Sequence, residues 1–295
     1  MQRIVCTGVT LLSILLCHAQ GVRFSRTLYF YPSWDTSLFR AVKMHAVVND
    51  SIYYYAKAQK KHDSALAAVL YFNTRGYMIE KDEFEVSSGG VEKITNYTYN
   101  DNGTPARIET QARSSISING NPAIDKDVVT FDYDTAGNII ARKDYSYIRD
   151  TSGSLTENNY EYDSAGRRIK EYLSMPHTAK YLYRDYTYTG SKLSEEKMFD
   201  FQGHWMYSYD YEYDDRARET SIYLVNDNRT LSKEYFYDTQ QRLIKEKSYS
   251  NRNVFWDHST QEYTYSSAGL LTSQSYRNAN GDNFYFRHFY TIKKM

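Results

Sequence analysis

The chain has 295 residues in which 36 Lys plus Arg balance 36 Asp plus Glu, so its net charge points to neither nucleic acid nor an anionic membrane as a partner. Tyrosine stands out at 32 residues, and a mean hydropathy of −0.70 argues against a thick aliphatic core. Both cysteines, Cys6 and Cys17, fall within the first nineteen residues, so the rest of the chain has no disulfide, thiolate metal site or cysteine nucleophile.

Arg3 precedes an apolar run from Ile4 to Cys17, and small residues at Cys17 and Ala19 suit signal-peptide cleavage after Ala19. Residues 1–19 are therefore predicted to be a signal peptide, and the chain to be exported to the periplasm, the cell surface or the medium. A lipoprotein acylated on Cys17 is the competing expectation, but Leu16 is not the small residue a lipobox places before its cysteine. Residues 20–67 read as a strand-rich capping segment. Phe24 to Tyr31 and Phe39 to Val48 are candidate strands separated by Pro32-Ser33-Trp34-Asp35, and Tyr53-Tyr54-Tyr55 begins another that makes a polar excursion at Lys57 to Asp63, as a loop or, given the Ala, Lys and Gln of 56–68, a short helix. Such a segment can protect the terminal edge of a repeat array.

Residues 68–295 carry a repeat. In Tyr160-Glu161-Tyr162-Asp163-Ser164-Ala165-Gly166-Arg167-Arg168-Ile169 the two tyrosines share one strand face, Asp163 can cap a turn, and Gly166 sits where the turn needs positive φ. Beyond it Ile169, Glu171 and Leu173 share a face, so each unit is a hairpin whose returning strand is only partly apolar. Taking the aromatic before the turn as anchor, copies fall at Phe72, Tyr99, Tyr133, Tyr162, Tyr188, Tyr213, Tyr237 and Tyr265, spaced by 27, 34, 29, 26, 25, 24 and 28 residues. The Tyr188 copy has a shortened turn, and those of Tyr213 and Tyr237 lack the glycine. A second class of Gly/Asn/Asp/Pro turns alternates with the first. The predicted fold is all-β, an antiparallel meander of about eight tandem β-hairpin repeats and roughly sixteen to twenty strands, forming a curved sheet or barrel-like shell.

The Tyr-x-Tyr-Asp-x-x-Gly-Arg pattern, clearest at 160–167 and supported at 131–137 and 235–242, resembles the YD repeat of the Rhs and teneurin families. The resemblance implies strips of β-sheet that spiral into a hollow shell, which in bacterial members holds a C-terminal toxin. This chain departs from that pattern in having few copies and no Asp-Pro step for a self-cleavage motif. It is more similar to the short secreted YD-repeat proteins of Bacteroidetes.

Chemistry is sparse. His45, His62, His177, His204, His258 and His288 show no metal-ligand spacing, and there is no nucleophile elbow, phosphate-cradling glycine loop or calcium loop. No cofactor, no metal, no catalytic residue and no enzymatic activity are expected. Charged residues alternate along the strands, which argues against a lipid-facing band and hence against a membrane-spanning barrel. The densest aromatic stretch, 205–213, would place Trp205, Tyr207, Tyr209, Tyr211 and Tyr213 on one strand face. It packs within the sheet or, with Phe255-Trp256, is exposed as a platform for sugar rings, in which case Trp205, Tyr207, Tyr209, Tyr211 and Trp256 are the ligand surface. Three functions follow in order: an exported non-enzymatic binding or scaffold protein with a glycan or envelope protein as partner; a degenerate relative of toxin-carrying shells with a structural or competition role; and an envelope hydrolase with a dispersed site, whose sign would be a buried cluster with a shifted carboxylate. The sequence does not fix an oligomeric state.

Overall fold

The computed structural model describes residues 47–56, 65–85, 89–118, 121–148, 151–249, 258–278 and 283–292. The predicted leader, most of the capping segment, its polar excursion at 57–63 and Trp256 lie outside these residues. Eighteen strands follow in chain order, with no helix among the described residues. The first six are β1 (Val47–Ala56), β2 (Ala65–Phe72), β3 (Met78–Phe84), β4 (Val91–Tyr99), β5 (Pro105–Ile118) and β6 (Asn121–Tyr133). Next come β7 (Ile139–Ile148), β8 (Thr151–Tyr162), β9 (Arg168–Ser174), β10 (Tyr181–Thr189), β11 (Lys192–Phe199) and β12 (Trp205–Tyr213). The last are β13 (Glu219–Val225), β14 (Arg229–Tyr237), β15 (Leu243–Tyr249), β16 (His258–Tyr265), β17 (Leu271–Arg277) and β18 (Asn283–Ile292).

Every strand pairs antiparallel with its neighbour in sequence, and β1 pairs with both β2 and β18. The meander therefore closes into a barrel, which removes both free edges of the sheet. Strand β1, from the segment predicted to cap the array, is the closing stave. At this seam the imidazole Nδ1 of His288 lies 2.6 Å from Asp50 Oδ2, and both side chains are wholly buried.

The turns at one rim explain the repeat. Asp163 Oδ1 accepts the backbone N–H of Ala165 and of Arg167, while Oδ2 accepts the Arg167 guanidinium. The backbone closes with Gly166 N–H donating to Asp163 O and Asp163 N–H donating to Arg167 O. Gly166 has φ +75°, and where the glycine is missing Ala217 and Gln241 adopt the same left-handed conformation at φ 62° and 67°. The shortened copy is a two-residue turn between Thr189 and Lys192 with Gly190 at φ 61°.

Beside each of the eight anchors the strand register shifts by one residue, a β-bulge. In the type copy Tyr162 faces Arg168 and Glu161 faces Lys170, so Ile169 is skipped. Glu171 and Leu173 do share the inner face, but the bulge also turns Arg168 inward, its guanidinium 3.9 Å from the centre of the Tyr160 ring. Strict alternation from Ile169 missed that residue.

The bulge carbonyls receive a repeated bond. The anchor hydroxyls of Tyr99, Tyr133, Tyr162, Tyr188, Tyr237 and Tyr265 donate to the carbonyls of Met78, Pro105, Ile139, Arg168, Glu219 and Leu243, each the residue facing the preceding anchor across its own hairpin. Tyr290 does the same to Leu271 at 2.6 Å, which makes it a ninth anchor that no turn signature follows. Side chains from the turns then cover the anchor rings: Arg167 over Tyr188, Arg218 over Tyr237 and Arg242 over Tyr265, at 4.7–4.8 Å. Successive hairpins are thus tied together by the residues of the motif itself, the anchor hydroxyl in seven cases and the turn arginine in three.

The interior is uneven. Val47, Ile52, Leu70, Phe72, Met78, Tyr97, Ile108, Phe131, Ile139 and Phe286 form one apolar cluster, on β1–β7 and β18. Tyr235, Leu243, Tyr263 and Leu271 form a second on β14–β17. Between them, on β7–β13, the inner face is largely polar.

Candidate functional site: an interior belt of tyrosines and charged groups

The aromatic two residues before each anchor faces a fixed place on the returning strand. Tyr160 faces Glu171, Tyr186 faces Glu196, Tyr235 faces Glu246, Tyr263 faces Gln274 and Phe131 faces Arg142. All five partners are buried. A buried charge must be paired, and these are. Glu171 accepts bonds from Asn158 Nδ2 at 2.7 Å and the Tyr186 hydroxyl at 2.8 Å. Arg184 stands between two carboxylates, its Nη1 2.9 Å from Glu196 and its Nε 3.8 Å from Glu171. The Tyr211 hydroxyl completes Glu196 at 2.8 Å. One polar ladder therefore runs from Asn158 on β8 to Tyr211 on β12. Burial, and then the adjoining carboxylates, push the Tyr186 and Tyr211 phenols well up, so both remain protonated donors.

Further round the barrel, Lys233 Nζ bonds Glu246 at 2.8 Å, and Glu219 lies beside this pair. Glu219 faces Tyr213 across its hairpin, in the inner rim position that Met78, Ile139, Leu243 and Leu271 occupy in other copies. Burial, reinforced by Glu246 and Glu196 against Lys233 and a hydrogen bond with Tyr235, pushes its carboxyl up to about 7. Elsewhere on the inner face Arg142 bonds Asp144 at 2.5 Å, and Lys81 bonds Glu83 at 2.9 Å. Among the described residues no group of three His, Cys, Asp or Glu side chains is arranged to hold a metal ion.

The predicted ligand row is divided by this geometry. Tyr207, Tyr209 and Tyr211 face inward, since Tyr207 pairs with Met198, Tyr209 with Glu196 and Tyr211 with Ile222, all inner-face residues. Tyr211 is spent on Glu196, and Tyr207 meets Tyr209 edge-on at 5.5 Å. Burial pushes the Tyr209 phenol up to about 12. Trp205 is separated from them by a bulge opposite Phe199 and is 47% exposed at the far rim, next to Met206 and near the turn residue Phe201. Trp256 is outside the described residues. The four described residues of the row thus do not form one exposed surface.

The belt itself was half visible. Glu171 on the same face as Ile169 and Leu173 is the signal, and the same offset from the anchor picks out Lys81, Arg142, Glu246 and Gln274. Pairing of Glu171 with Arg184 crosses to the next hairpin and has no local pattern, and Asn158 reaches Glu171 diagonally within their own hairpin.

No family model and no curated protein matches the sequence. Among solved structures the chain is similar to a TcdB2-TccC3-Cdc42 complex, at 15% identity over 80% of this chain and 14% of that one, with a TM-score of 0.31. A porin-like protein from Bacteroides uniformis matches at 8% identity over 83% of this chain and 98% of that one, with a TM-score of 0.45. The Photorhabdus luminescens Tc holotoxin pore matches at 11% identity over 83% of this chain and 18% of that one, with a TM-score of 0.27. The chain spans about one seventh of the toxin chain in the first of these.

Proposed function

We propose that the protein is an exported, non-enzymatic β-barrel of YD-type repeats that serves as a scaffold or binding surface at the cell envelope, with a glycan or another protein as its partner. The carrying observation is that Glu171, Arg184 and Glu196, and likewise Lys233 and Glu246, of the inner belt are taken up by one another. Tyr, Asp, Gly and Arg of the repeat likewise have complete structural roles, in the stitch, the cap, the left-handed turn and the ring cover. The outer wall supports a water-exposed barrel: Lys143 pairs with Asp132, Lys245 with Glu262, and Arg229 with both Asp210 and Glu212, at 2.7–3.0 Å. A lysine or arginine facing lipid at mid-bilayer costs about 2–4 kcal/mol. The apolar run before Ala19 supports export. Expression of the full chain in a Gram-negative host, with fractionation and N-terminal sequencing of the product, tests location; a cytoplasmic chain still beginning at Met1 would refute export.

A hydrolase remains the second reading because Glu219 is a half-buried carboxyl raised to about 7 beside Glu246, the arrangement that general acids use. Its test is turnover: release of reducing sugar from envelope or dietary polysaccharides by the full chain, abolished by Glu219→Gln, would replace the non-enzymatic reading.

A further inference from the structure

Among the described residues the outer wall carries an open groove that neither the repeat motif nor the inner belt accounts for. It is a groove of about 550 Å³ along β6, lined by Arg107, Lys126, Val128, Thr130, Tyr145 and Tyr147. Its size is within the range of small-ligand sites. Register explains its shape. Thr130 lies opposite Arg107 on β5, while Val128 lies opposite Tyr145 and Lys126 opposite Tyr147 on β7. The floor is Val128, which is only 4% exposed although it faces outward. Tyr145 and Tyr147 stand two apart on one strand, so their rings follow each other along the groove at roughly 6.6 Å.

Two further features show that the groove is held in shape. A Cβ at Gly153 would come within 2.9 Å of two ring carbons of Tyr147, so this ring lies flat on the sheet where only a glycine leaves room. The cations are fixed as well. Arg107 Nη2 and Lys126 Nζ each bond Glu109, at 2.6 and 2.7 Å, and these two cations hold its carboxyl down to about 2. Glu109 balances one positive charge of the two. The Arg107 and Lys126 side chains stay 43% and 33% exposed, with further N–H donors on each.

We propose that this groove binds a saccharide that carries a carboxylate or sulfate group. The inference rests on the exported binding role above and moves the binding surface from the 205–211 row to the outside of β5–β7. The Tyr145 and Tyr147 rings give faces for sugar C–H groups, the Thr130 hydroxyl offers a hydrogen bond, and the excess positive charge of Arg107 and Lys126 selects an acidic sugar over a neutral one. An open groove along a strand suits one stretch of a linear polymer.

The test is affinity electrophoresis and calorimetry of the full chain against polygalacturonate, alginate and chondroitin sulfate, with dextran and xylan as neutral polymers and polyphosphate as a charge-only probe. Variants are Tyr145→Ala, Lys126→Gln and Trp205→Ala, each checked by circular dichroism and thermal melting. The expected result is binding of at least one acidic polysaccharide, weakened about tenfold by Tyr145→Ala and by Lys126→Gln and unchanged by Trp205→Ala. Glycan binding lost only in Trp205→Ala would overturn the groove while keeping the glycan-binding role. Binding of polyphosphate and acidic glycans alike, weakened by Lys126→Gln but not by Tyr145→Ala, would overturn the saccharide in favour of charge alone. No binding of any acidic polymer by the native chain would also overturn the proposal, and export measured separately would still stand or fall by itself.

Discussion

Replacing an anchor tyrosine by phenylalanine removes one hydroxyl and leaves the ring, the cation above it and the turn in place. In the Tyr265→Phe variant the lost bond is the 2.8 Å contact to the Leu243 carbonyl, on a residue only 2% exposed. A typical hydrogen bond contributes about 0.5–1.5 kcal/mol net, and a buried acceptor left unpaired costs about 1–3 kcal/mol. Tyr265→Phe and Tyr162→Phe, whose acceptor Ile139 is 6% exposed, should each lose about 1.5–2 kcal/mol. Tyr133→Phe should lose less, about 0.5–1 kcal/mol, because its acceptor Pro105 is only half-buried. The internal control is Tyr213. It follows the hairpin with the shortened turn, Lys192 covers its ring at 5.3 Å, and its hydroxyl makes no stitch to that hairpin. Tyr213→Phe should therefore stay within about 0.5 kcal/mol of the native chain. Urea unfolding followed by far-ultraviolet circular dichroism gives each difference, provided the denaturant slope is unchanged. Because the Tyr162 and Tyr265 stitches lie in separate hairpins, the double variant should lose the sum. Equal losses at Tyr213 and Tyr265, or none at Tyr265, would refute the stitch as a source of stability.

The left-handed turn positions predict gains. A left-handed non-glycine residue costs about 1–2 kcal/mol, and a glycine costs about 0.4–1 kcal/mol through the unfolded chain, so Ala217→Gly and Gln241→Gly should each raise urea stability by about 0.5–1 kcal/mol. Gly166→Ala should lower it by a similar amount, since the nearest atom to an added Cβ is 3.9 Å away and strain alone acts. Arg184→Ala would strand Glu171 and Glu196 and should cost about 3–5 kcal/mol, seen as a large fall in the urea midpoint. For Glu219 the folded carboxyl titrates near 7 against an ordinary 4.5, so the folded state holds the proton longer than the unfolded one. Its contribution is complete below pH 4.5 and is lost as pH rises to 7, on the order of 3 kcal/mol. Glu219→Gln should flatten that part of the stability profile and leave the variant more stable than the native chain at pH 8; an unchanged profile would refute the assignment.

What the sequence disclosed follows from where each cause resides. Turn chemistry is local, so Asp163, Gly166 and the anchor tyrosines announced the hairpins, and the count of strands followed from the spacing. Closure was open between a curved sheet and a barrel because pairing of β1 with β18 joins residues such as Asp50 and His288 across almost the whole chain. Nothing near either residue encodes the other. The side-chain pattern was legible to within one residue per hairpin, and that one residue matters. A bulge at each anchor adds Arg168, Glu219 and their equivalents to the inner rim, where a strict period of two leaves them out of account. For the aromatic row the period was right within β12 but gave no direction. Tyr207, Tyr209 and Tyr211 share a face as expected, and only pairing with Glu196 and Met198 makes that face the inner one. The outer groove was wholly hidden, because its tyrosines on β7 and its cations on β5 and β6 come together through register and not through any motif. Where the repeat commits its anchor tyrosines, and those two residues before them, to folding, the residues left to act on something else are those that the repeat does not need, and Tyr145, Tyr147 and Lys126 are of that kind.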